Sequence, residues 1–336
     1  MSIDTGSTAE VAGTSVQSAP RASFDVLVLA GGLSHERDVS LRSGRRVSEA
    51  RRGTGLAVSV LDVDAQLLPT LEATRPDLVW PLLHGAGGED GSVRDVLEML
   101  GLAYVGADPR ASRCAWSKPV AKTLAAEHGI STPRFVTLPQ SLFRELGAGK
   151  VLEVVLGSLG LPLAVKPAKG GSALGVTLVD RAEDLPRAMV ACFAYGDTAL
   201  IEQAVHGTEV AVSVVDTGDG PRALPPVEVV TEGPYDYDAR YTPGRTEYFV
   251  PARLDDELAQ RVADAALGVH QALGLRDLSR TDLIIDADGV PQFIDVNSAP
   301  GMTETSLLPQ AAVAAGHDLG ALYRAVATAA LDRARR

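Results

Sequence analysis

The stretch from Arg280 to Met302, RTDLIIDADGVPQFIDVNSAPGM, has the pattern of two β-strands joined by a tight turn. The turn is predicted at residues 286–289, where Asp and Gly cluster. Successive side chains of a strand point to opposite faces of its sheet. One face of this hairpin is therefore predicted to be apolar, formed by Leu283, Ile285, Ile294 and Val296.

The opposite face of the hairpin carries polar side chains. If the loop spans residues 287–290, Asp282 lies opposite Asp295, close enough for the two to act together. The same register places Arg280 opposite Asn297. Oxygen donors beside an arginine suit Mg²⁺ that holds a phosphate, because this ion takes a few carboxylate oxygens and leaves its other positions to phosphate and water. A solvated outer face of an antiparallel hairpin explains the same pattern without a site.

The composition of the chain limits the kinds of protein it can be. Its 336 residues, 46% of them hydrophobic, are typical of a globular chain of roughly two or three domains. The net charge of −12 and the lack of any block of Lys or Arg argue against nucleic acid or a membrane as a partner. Two cysteines are too few for a disulfide framework and favour a reducing compartment. No apolar run is long enough to span a membrane.

The first 22 residues are rich in Ser, Thr, Ala and Gly. They lack the basic start and the apolar centre of a signal peptide. We interpret residues 1–22 as a disordered tail without chemistry of its own. Together with the cysteine content, this predicts a cytoplasmic protein.

The first domain is predicted to span residues 23–107, where strands and helices alternate as they do around a parallel sheet. Residues 24–30, FDVLVLA, form a buried strand that ends in two glycines and precedes a helix. This order presents a ligand at the end of the strand, although the dinucleotide fingerprint GxGxxG is absent. Residues 84–91, HGAGGEDG, form a glycine loop that turns sharply or approaches a ligand closely.

Two α+β units are predicted to follow, over residues 108–198 and 199–336. In the first, Lys166 lies in an apolar strand that enters a Gly/Ser loop at residues 168–175. Such a loop offers amide N–H groups and a hydroxyl to a phosphate, although it does not match the Walker A pattern. In the second, residues 231–250 are irregular, and three of the seven tyrosines of the chain fall within the seven residues 235–241. A loop of this kind is predicted to fold over a ligand.

Taken in order, these features resemble the ATP-grasp fold and, more closely, the D-alanine–D-alanine ligase family, over about residues 24–330. The motifs that carry the resemblance are GGLSHERDVSLRSG at 31–44, HGAGGEDG at 84–91, VKPAKGGSALG at 165–175, YDYDARY at 235–241 and FIDVNSAPGMTETS at 293–306. The resemblance implies an α/β (α+β) architecture, with an N-terminal parallel-sheet domain followed by central and C-terminal α+β domains. It also implies ATP-dependent ligation of two D-alanines through an acyl phosphate, which supplies peptidoglycan synthesis for the cell wall.

The resemblance assigns five residues to ATP. Lys118 and Lys166 match the lysines that hold the α- and β-phosphates. Glu202 and Val205 belong to the segment that meets adenine, and Glu209 matches the carboxylate that binds the ribose hydroxyls.

The resemblance also assigns residues to the γ-phosphate and to two Mg²⁺ (or Mn²⁺) ions. Arg240 stands where the family has a lysine that reaches the γ-phosphate, and the two cations differ in geometry. Asp282, Asp295 and Asn297 match the metal ligands. Asp295 replaces the usual glutamate, which makes that ligand one methylene shorter.

For the amino-acid substrates, the resemblance implies a hydrogen-bonded triad of Glu36, Ser172 and Tyr241. Glu36 matches the acid that binds the ammonium group of the first D-alanine. The triad closes two loops over the site and excludes water, which would hydrolyse the acyl phosphate.

The other substrate residues are also implied by the resemblance. Arg280 and the backbone N–H of Gly301 match the groups that stabilise the oxyanion of the tetrahedral intermediate. Ser306, with the N–H of Leu307, matches the group that holds the carboxylate of the second substrate. His84 matches a histidine near the first substrate.

Ordinary structural roles are alternatives for several of these residues. Ser306 suits a helix N-cap, and Glu36 suits the acidic first turn of a helix. Lys118 fits a solvated helix position, and His84 fits a loop cap. A lysine at position 166, in the middle of an apolar strand, is poorly explained as a surface charge.

Two further departures from the family pattern concern the Gly/Ser loop, where Ala173 replaces a serine and Gly170 replaces an acidic residue or alanine. They leave two alternatives open: an ATP-grasp ligase for other amino acids, or a non-catalytic nucleotide-binding homologue. The tyrosine-rich loop favours an amine as the second substrate, and hence a dipeptide product. A dinucleotide oxidoreductase is disfavoured by the missing glycine fingerprint. Because the family commonly dimerises, the resemblance also implies a homodimer.

Overall fold

The structure is a computed structural model that describes residues 23–50, 55–231 and 244–336. The strands of this part of the chain are β1 Phe24–Ala30, β2 Leu56–Asp62, β3 Leu78–Pro81, β4 Phe135–Pro139, β5 Leu163–Pro167, β6 Thr177–Val179, β7 Thr198–Gln203, β8 Thr208–Asp216, β9 Pro221–Ala223, β10 Val227–Thr231, β11 Thr246–Phe249, β12 Leu278–Ile285 and β13 Pro291–Asn297. The helices are α1 Arg37–Ala50, α2 Leu67–Thr74, α3 Ala86–Glu89, α4 Ser92–Met99, α5 Pro109–Trp116, α6 Lys118–Glu127, α7 Gln140–Leu146, α8 Ala148–Leu159, α9 Leu185–Phe193, α10 Asp256–Ala272, α11 Leu307–Ala314 and α12 Leu319–Ala334.

The first sheet is parallel, as the alternation of strands and helices predicted, and its strand order is β2-β1-β3. The apolar strand β1 occupies the centre, and its side chains are buried in core clusters on both faces of the sheet. Trp80 of β3 packs edge-on against Tyr323 of α12, with the ring centroids 5.7 Å apart. The last helix therefore helps to cover the first sheet.

The second sheet is antiparallel and has the order β4-β7-β5-β6. It carries Lys166 on β5 and Glu202 on β7, and its apolar side chains pack against α8 and α9. The predicted third unit begins with residues of β7, yet this strand pairs with β4 and β5. The division into domains remains a prediction, and this pairing favours a boundary after Gln203.

The third sheet is antiparallel, with the order β11-β10-β8-β12-β13 and with β9 paired to β8. The last two strands in this order, β12 and β13, form the antiparallel hairpin that the sequence pattern predicted. Asp282 lies opposite Asp295 and Arg280 opposite Asn297, which is the predicted register. The polar residues of the two strands therefore share one face.

One prediction for this hairpin is wrong, because its register shifts between Asp282 and Leu283. The shift places Leu283 opposite Phe293 rather than opposite Ile294, as a β-bulge does when it adds one residue to one strand. Phe293 is fully buried and takes the core position that was predicted for Ile294. Ile294 instead lines a large cleft.

Both cysteines, Cys114 and Cys192, are free thiols. Burial raises the pKa of the Cys192 thiol to about 11, which makes it a poor nucleophile near neutral pH. Among the helices of the described residues, none combines the length and the apolar character that crossing a bilayer requires.

His270 of α10 makes the stability of the fold depend on pH. The side chain is buried, and one ring nitrogen, Nδ1, lies 2.8 Å from the hydroxyl oxygen of Ser279. Burial lowers the pKa of His270 from 6.5 to about 4, against the smaller opposing effect of Asp216. The unfolded chain therefore binds this proton at a higher pH than the folded chain, so stability is present above pH 6.5 and is lost as the pH falls towards 4.

We expect the free energy of unfolding to fall by about 2 kcal/mol between about pH 7.5 and about pH 5 because of this histidine. Urea unfolding of wild-type protein and of His270→Gln at both pH values measures the effect. The variant is expected to lose about that much of the pH dependence, whereas His317→Gln, an exposed control, is expected to keep it. Equal pH dependence in wild type and His270→Gln would show that the buried imidazole is not the group involved.

Candidate active site

A cleft of about 510 Å³ lies between the second and third sheets. Its volume suits a small-molecule ligand, and its walls come from β5, β6, β7, β8, β12, β13 and the Gly/Ser loop. The predicted site residues that line it are Lys118, Lys166, Ser172, Glu202, Val205, Glu209, Arg280, Asp282, Asp295, Asn297 and Leu307. The fold thus brings into one cleft residues that are almost two hundred positions apart in the chain.

Lys118, the first residue of α6, points into the cleft. Its Nζ donates to Oδ2 of Asp295 at 2.6 Å and to the carbonyl oxygen of Gly170 at 2.9 Å. The residue is only 8% exposed, so the alternative of a solvated helix position is wrong. One cation therefore joins the Gly/Ser loop to the polar face of the hairpin.

Lys166 and Glu202 form a buried ion pair, with Nζ of Lys166 2.5 Å from Oε1 of Glu202. A second lysine, Lys122 of α6, lies 2.8 Å from the other carboxylate oxygen of Glu202. Burial raises the pKa of Glu202, but the charges of the two lysines outweigh it and hold the pKa below its usual range. Burial lowers the pKa of Lys122 to about 8, although the charge of Glu202 opposes this shift.

The polar face of the hairpin presents three oxygen-donor side chains. Asp282 accepts hydrogen bonds of 2.7 and 2.9 Å from Nε and Nη2 of Arg280. Asp295 pairs with Lys118, and Oδ1 of Asn297 accepts the backbone N–H of Ala299 at 2.7 Å. The carboxylates of Asp282 and Asp295 are thus held in place by cations on the same cleft wall.

The chemistry of this donor set fits a hard divalent cation. Such an ion takes carboxylate and amide oxygens and completes its coordination with phosphate and water. In the described residues, no group of three or more His, Cys, Asp and Glu side chains could enclose a metal by itself. The residues at 282, 295 and 297 therefore suit an ion that is shared with a phosphate ligand, and not a site closed by protein alone.

Glu36 and Ser172 meet although they are 136 residues apart, and the Ser172 hydroxyl donates a short hydrogen bond to Oε1 of Glu36. The backbone of Ser172 is left-handed, with φ of 52°. A non-glycine residue rarely adopts this conformation, and here it turns the hydroxyl towards Glu36. The other predicted member of this triad, Tyr241, and the predicted phosphate ligand, Arg240, lie outside the described residues.

His84 follows β3 at the base of the glycine loop and is 4% exposed. Burial lowers its pKa, against the smaller opposing effect of Glu36. Its Nε2 has no hydrogen-bond partner among the described residues. His84 therefore places a neutral imidazole with an open nitrogen beside Glu36. Capping a loop does not require this arrangement.

Glu89, in the same glycine loop, was missed by the sequence analysis, which treated HGAGGEDG as backbone only. Its side chain is buried, lines the cleft, and accepts the backbone N–H of Gly85 at 2.8 Å. Burial and, to a smaller extent, the negative charge of Glu36 raise the pKa of Glu89 to about 8. This carboxyl therefore carries a proton at neutral pH.

Ser306 precedes α11 but its hydroxyl does not cap that helix. Instead its Oγ accepts the backbone N–H of Thr303 at 3.0 Å and lies 2.8 Å from the Thr303 hydroxyl. A Cβ atom on Gly301 would lie 2.7 Å from the same oxygen, so Gly301 is the residue that lets the chain pass close to Ser306. The alternative of an N-cap role for the Ser306 hydroxyl is wrong.

Two buried serines of α1 fix the loops that carry these groups. Ser43 accepts the backbone N–H of Met302, next to Gly301, at 3.0 Å. Ser40 donates to the carbonyl oxygen of Leu82 at 2.7 Å and accepts the N–H of Gly31 at 2.8 Å. The two serines of the SLRS part of the first motif thus fix the positions of three loop segments.

Comparison with known proteins identifies the family. The family described as "D-ala D-ala ligase C-terminus" matches residues 124–327, more than half of the chain. The D-alanine–D-alanine ligase of Desulforudis audaxviator is 41% identical over 294 residues, which cover 86% of this chain and 92% of that protein. This chain belongs to the D-alanine–D-alanine ligase family. The family predicted from the five motifs is therefore confirmed.

Solved structures agree with this assignment. The crystal structure of the D-alanine–D-alanine ligase of Bacillus anthracis complexed with ATP is 27% identical, with a TM-score of 0.78, and the match covers 93% of this chain and 99% of that one. The D-Ala:D-Ser ligase of Enterococcus faecalis is also 27% identical, with a TM-score of 0.79 over 92% of this chain and 99% of that one. The predicted ATP-grasp fold is confirmed.

Proposed function

We propose that this protein joins two molecules of D-alanine in an ATP-dependent reaction that releases ADP and phosphate and supplies D-alanyl-D-alanine for the cell wall. The observation that carries this proposal is the convergence of Lys118, Lys166, Asp282 and Asp295 on one cleft. Phosphoryl transfer needs little more than positioned groups that neutralise anionic oxygens. The cleft supplies such groups from three different parts of the chain.

In the first step, the terminal phosphate of ATP is transferred to the carboxylate of the first D-alanine. Lys118 and Lys166 hold the phosphates, while Val205 and Glu209 contact adenine and ribose. Asp282, Asp295 and Asn297 hold the Mg²⁺ (or Mn²⁺) ions, which supply positive charge to the phosphate oxygens when bound. The hydrogen bonds of Lys118 and Arg280 to the two aspartates support this arrangement, because they already place cations and oxygen donors side by side.

In the second step, the amine of the second D-alanine attacks the acyl phosphate. Arg280 and the N–H of Gly301 stabilise the oxyanion that develops on the carbonyl oxygen. Phosphate leaves and the amine loses a proton, so that a peptide bond remains. Ser306 and the N–H of Leu307 hold the carboxylate of the second substrate, next to the position of Gly301.

Glu36 and Ser172 close the site from the other side. Glu36 binds the ammonium group of the first D-alanine, and the hydrogen bond from Ser172 keeps the Gly/Ser loop over it. Exclusion of water protects the acyl phosphate from hydrolysis. His84, with its open Nε2, lies beside Glu36 and contacts the first substrate.

A second candidate function is ligation of D-alanine to a different second substrate. It is favoured by the likeness to the D-Ala:D-Ser ligase of Enterococcus faecalis, which is as similar in fold as the D-alanine–D-alanine ligase of Bacillus anthracis. Ala173 and Gly170 in the Gly/Ser loop also depart from the family pattern. The residues Ala173 and Gly170 do not remove a charge that the dipeptide reaction needs.

Phosphate release, measured with a panel of D- and L-amino acids and followed by mass spectrometry of the products, tests the function. We expect D-alanine alone to support phosphate release coupled to the dipeptide, and L-alanine to give neither, because the site orients one enantiomer. Product formation only with a second amino acid such as D-serine would favour the alternative. Nucleotide binding without any dipeptide would indicate a non-catalytic homologue.

Two further parts of the proposal concern the protein in the cell. We infer a homodimer, on the resemblance to the family, and light scattering of the full chain gives its mass. We infer a cytoplasmic location, which the two free thiols support. Fractionation of cells that express the protein checks it.

A further inference from the structure

Lys122 is a lysine with no exposed surface, which is rare for this residue type. Its Nζ donates to Oγ1 of Thr132 at 2.7 Å and to the carbonyl oxygen of Phe293 at 2.9 Å. It also lies 2.8 Å from Oε2 of Glu202. Two hydrogen bonds and one ion pair therefore hold this ammonium group in one place.

Lys122 does not line the cleft, whereas its partner Glu202 does. Glu202 in turn pairs with Lys166 through its other oxygen at 2.5 Å. One buried carboxylate therefore lies between two buried ammonium groups, which leaves one positive charge in excess. Buried charges are normally balanced, so this excess points to an anion that binds next to Lys166.

The position of Lys122 also links this charge cluster to the hairpin. The carbonyl oxygen that it binds belongs to Phe293 of β13, two residues before Asp295. The rings of Phe293 and Phe135 lie 5.6 and 5.9 Å from Nζ, close enough to stabilise the cation. One side chain thus connects β7 of the second sheet with β13 of the third.

We propose that Lys122 is a positioning residue for nucleotide binding, and that it acts through Glu202 without touching the ligand. By occupying one oxygen of Glu202, it leaves Lys166 with an uncompensated positive charge for the phosphates of a nucleotide. Without it, Glu202 would neutralise Lys166. The identity of the anion rests on the proposed function, while the charge relation among the three side chains does not.

The test compares binding of ADP, with Mg²⁺, and of adenosine to the full-length protein, since only ADP carries phosphates. Trp116 lines the cleft, so its fluorescence reports binding. For Lys122→Met we expect ADP to bind about tenfold more weakly, the effect of one charged hydrogen bond. Adenosine is expected to bind within about twofold of wild type. Lys150→Met, at an exposed lysine of α8, is the matched control and is expected to change neither.

The double variant Lys122→Met with Glu202→Gln separates charge from packing. It removes the carboxylate that would neutralise Lys166, so the ratio of ADP affinity to adenosine affinity is expected to stay within about threefold of the wild-type ratio. The ratio cancels any contact of residue 202 with adenine, which both ligands carry. This variant also serves if Lys122→Met alone does not fold, because it leaves no buried carboxylate short of a partner. An equal loss of ADP and adenosine binding in the single variant, or a tenfold lower ratio of ADP affinity to adenosine affinity in the double variant, would overturn the proposal.

These measurements do not depend on peptide formation. Wild-type turnover with D-alanine decides the proposed function separately. A protein that binds ADP as expected but forms no dipeptide would keep the role of Lys122 and lose the proposed reaction.

Discussion

Replacement of Arg280 by methionine is expected to lower the rate of dipeptide formation by about 10²–10³-fold, the usual effect of removing one group that stabilises an oxyanion. Arg280 lies on β12 and is largely buried, with its guanidinium fixed by two hydrogen bonds to Asp282. A fixed cation of this kind stabilises charge that develops on the substrate at no further cost in reorganisation. Methionine keeps the aliphatic stem and removes the charge.

Steady-state kinetics and ADP binding together measure this effect. We expect ADP affinity to change by less than about threefold, because the proposed contacts of Arg280 are with the reacting carbonyl and not with the nucleotide. Arg187→Met, at an exposed arginine of α9, is the control and is expected to retain full activity. If turnover and ADP affinity fell together in Arg280→Met, the arginine would be a nucleotide ligand instead.

Replacement of Asp282 by asparagine is expected to have an effect of similar or larger size, with turnover reduced by about 10³-fold or more. The substitution conserves shape and removes one of two carboxylates proposed to hold the metal ions. Arg280 would then lack its partner on β12, which adds positive charge where a cation has to bind. We therefore expect the Mg²⁺ concentration for half-maximal activity to rise about tenfold or more.

A titration of activity with Mg²⁺ at saturating ATP measures the second part of this prediction. Asp288→Asn lies in the exposed turn of the same hairpin and is the matched control, with an unchanged Mg²⁺ requirement. A lower turnover of Asp282→Asn at an unchanged Mg²⁺ requirement would mean that Asp282 serves only to orient Arg280. The metal assignment of this position would then be wrong.

The hairpin illustrates which parts of the site could be predicted. The pairing of Asp282 with Asp295 followed from the two-residue period of the strands and from the Asp/Gly turn between them. The position of Ile294 did not, because a register shift depends on how both strands pack and leaves no mark in the alternation of apolar residues. Phe293, with its larger apolar side chain, takes the core position.

Two buried ionisable residues in or next to the cleft were missed for a related reason. Lys122 lies four positions after Lys118 and shares its helix face, a spacing that could have been noticed. Its role, however, depends on Glu202, which lies on β7 and is distant from Lys122 in the sequence. In the sequence, Glu89 looks like an ordinary acid in a glycine loop. Its burial, which raises its pKa to about 8, depends on neighbours that are distant in the chain.

The amino-acid sequence alone determined the family, the succession of strands and loops, and the chemical types of the groups proposed to bind phosphate and metal. These features depend on local patterns. The folded chain decided which of those groups meet. Lys118 reaches Asp295, and Ser172 reaches Glu36, across more than a hundred residues. It also decided which charges lose their water, and therefore that Lys122 and Glu202 act as a buried pair, because desolvation depends on neighbours that are distant in the chain.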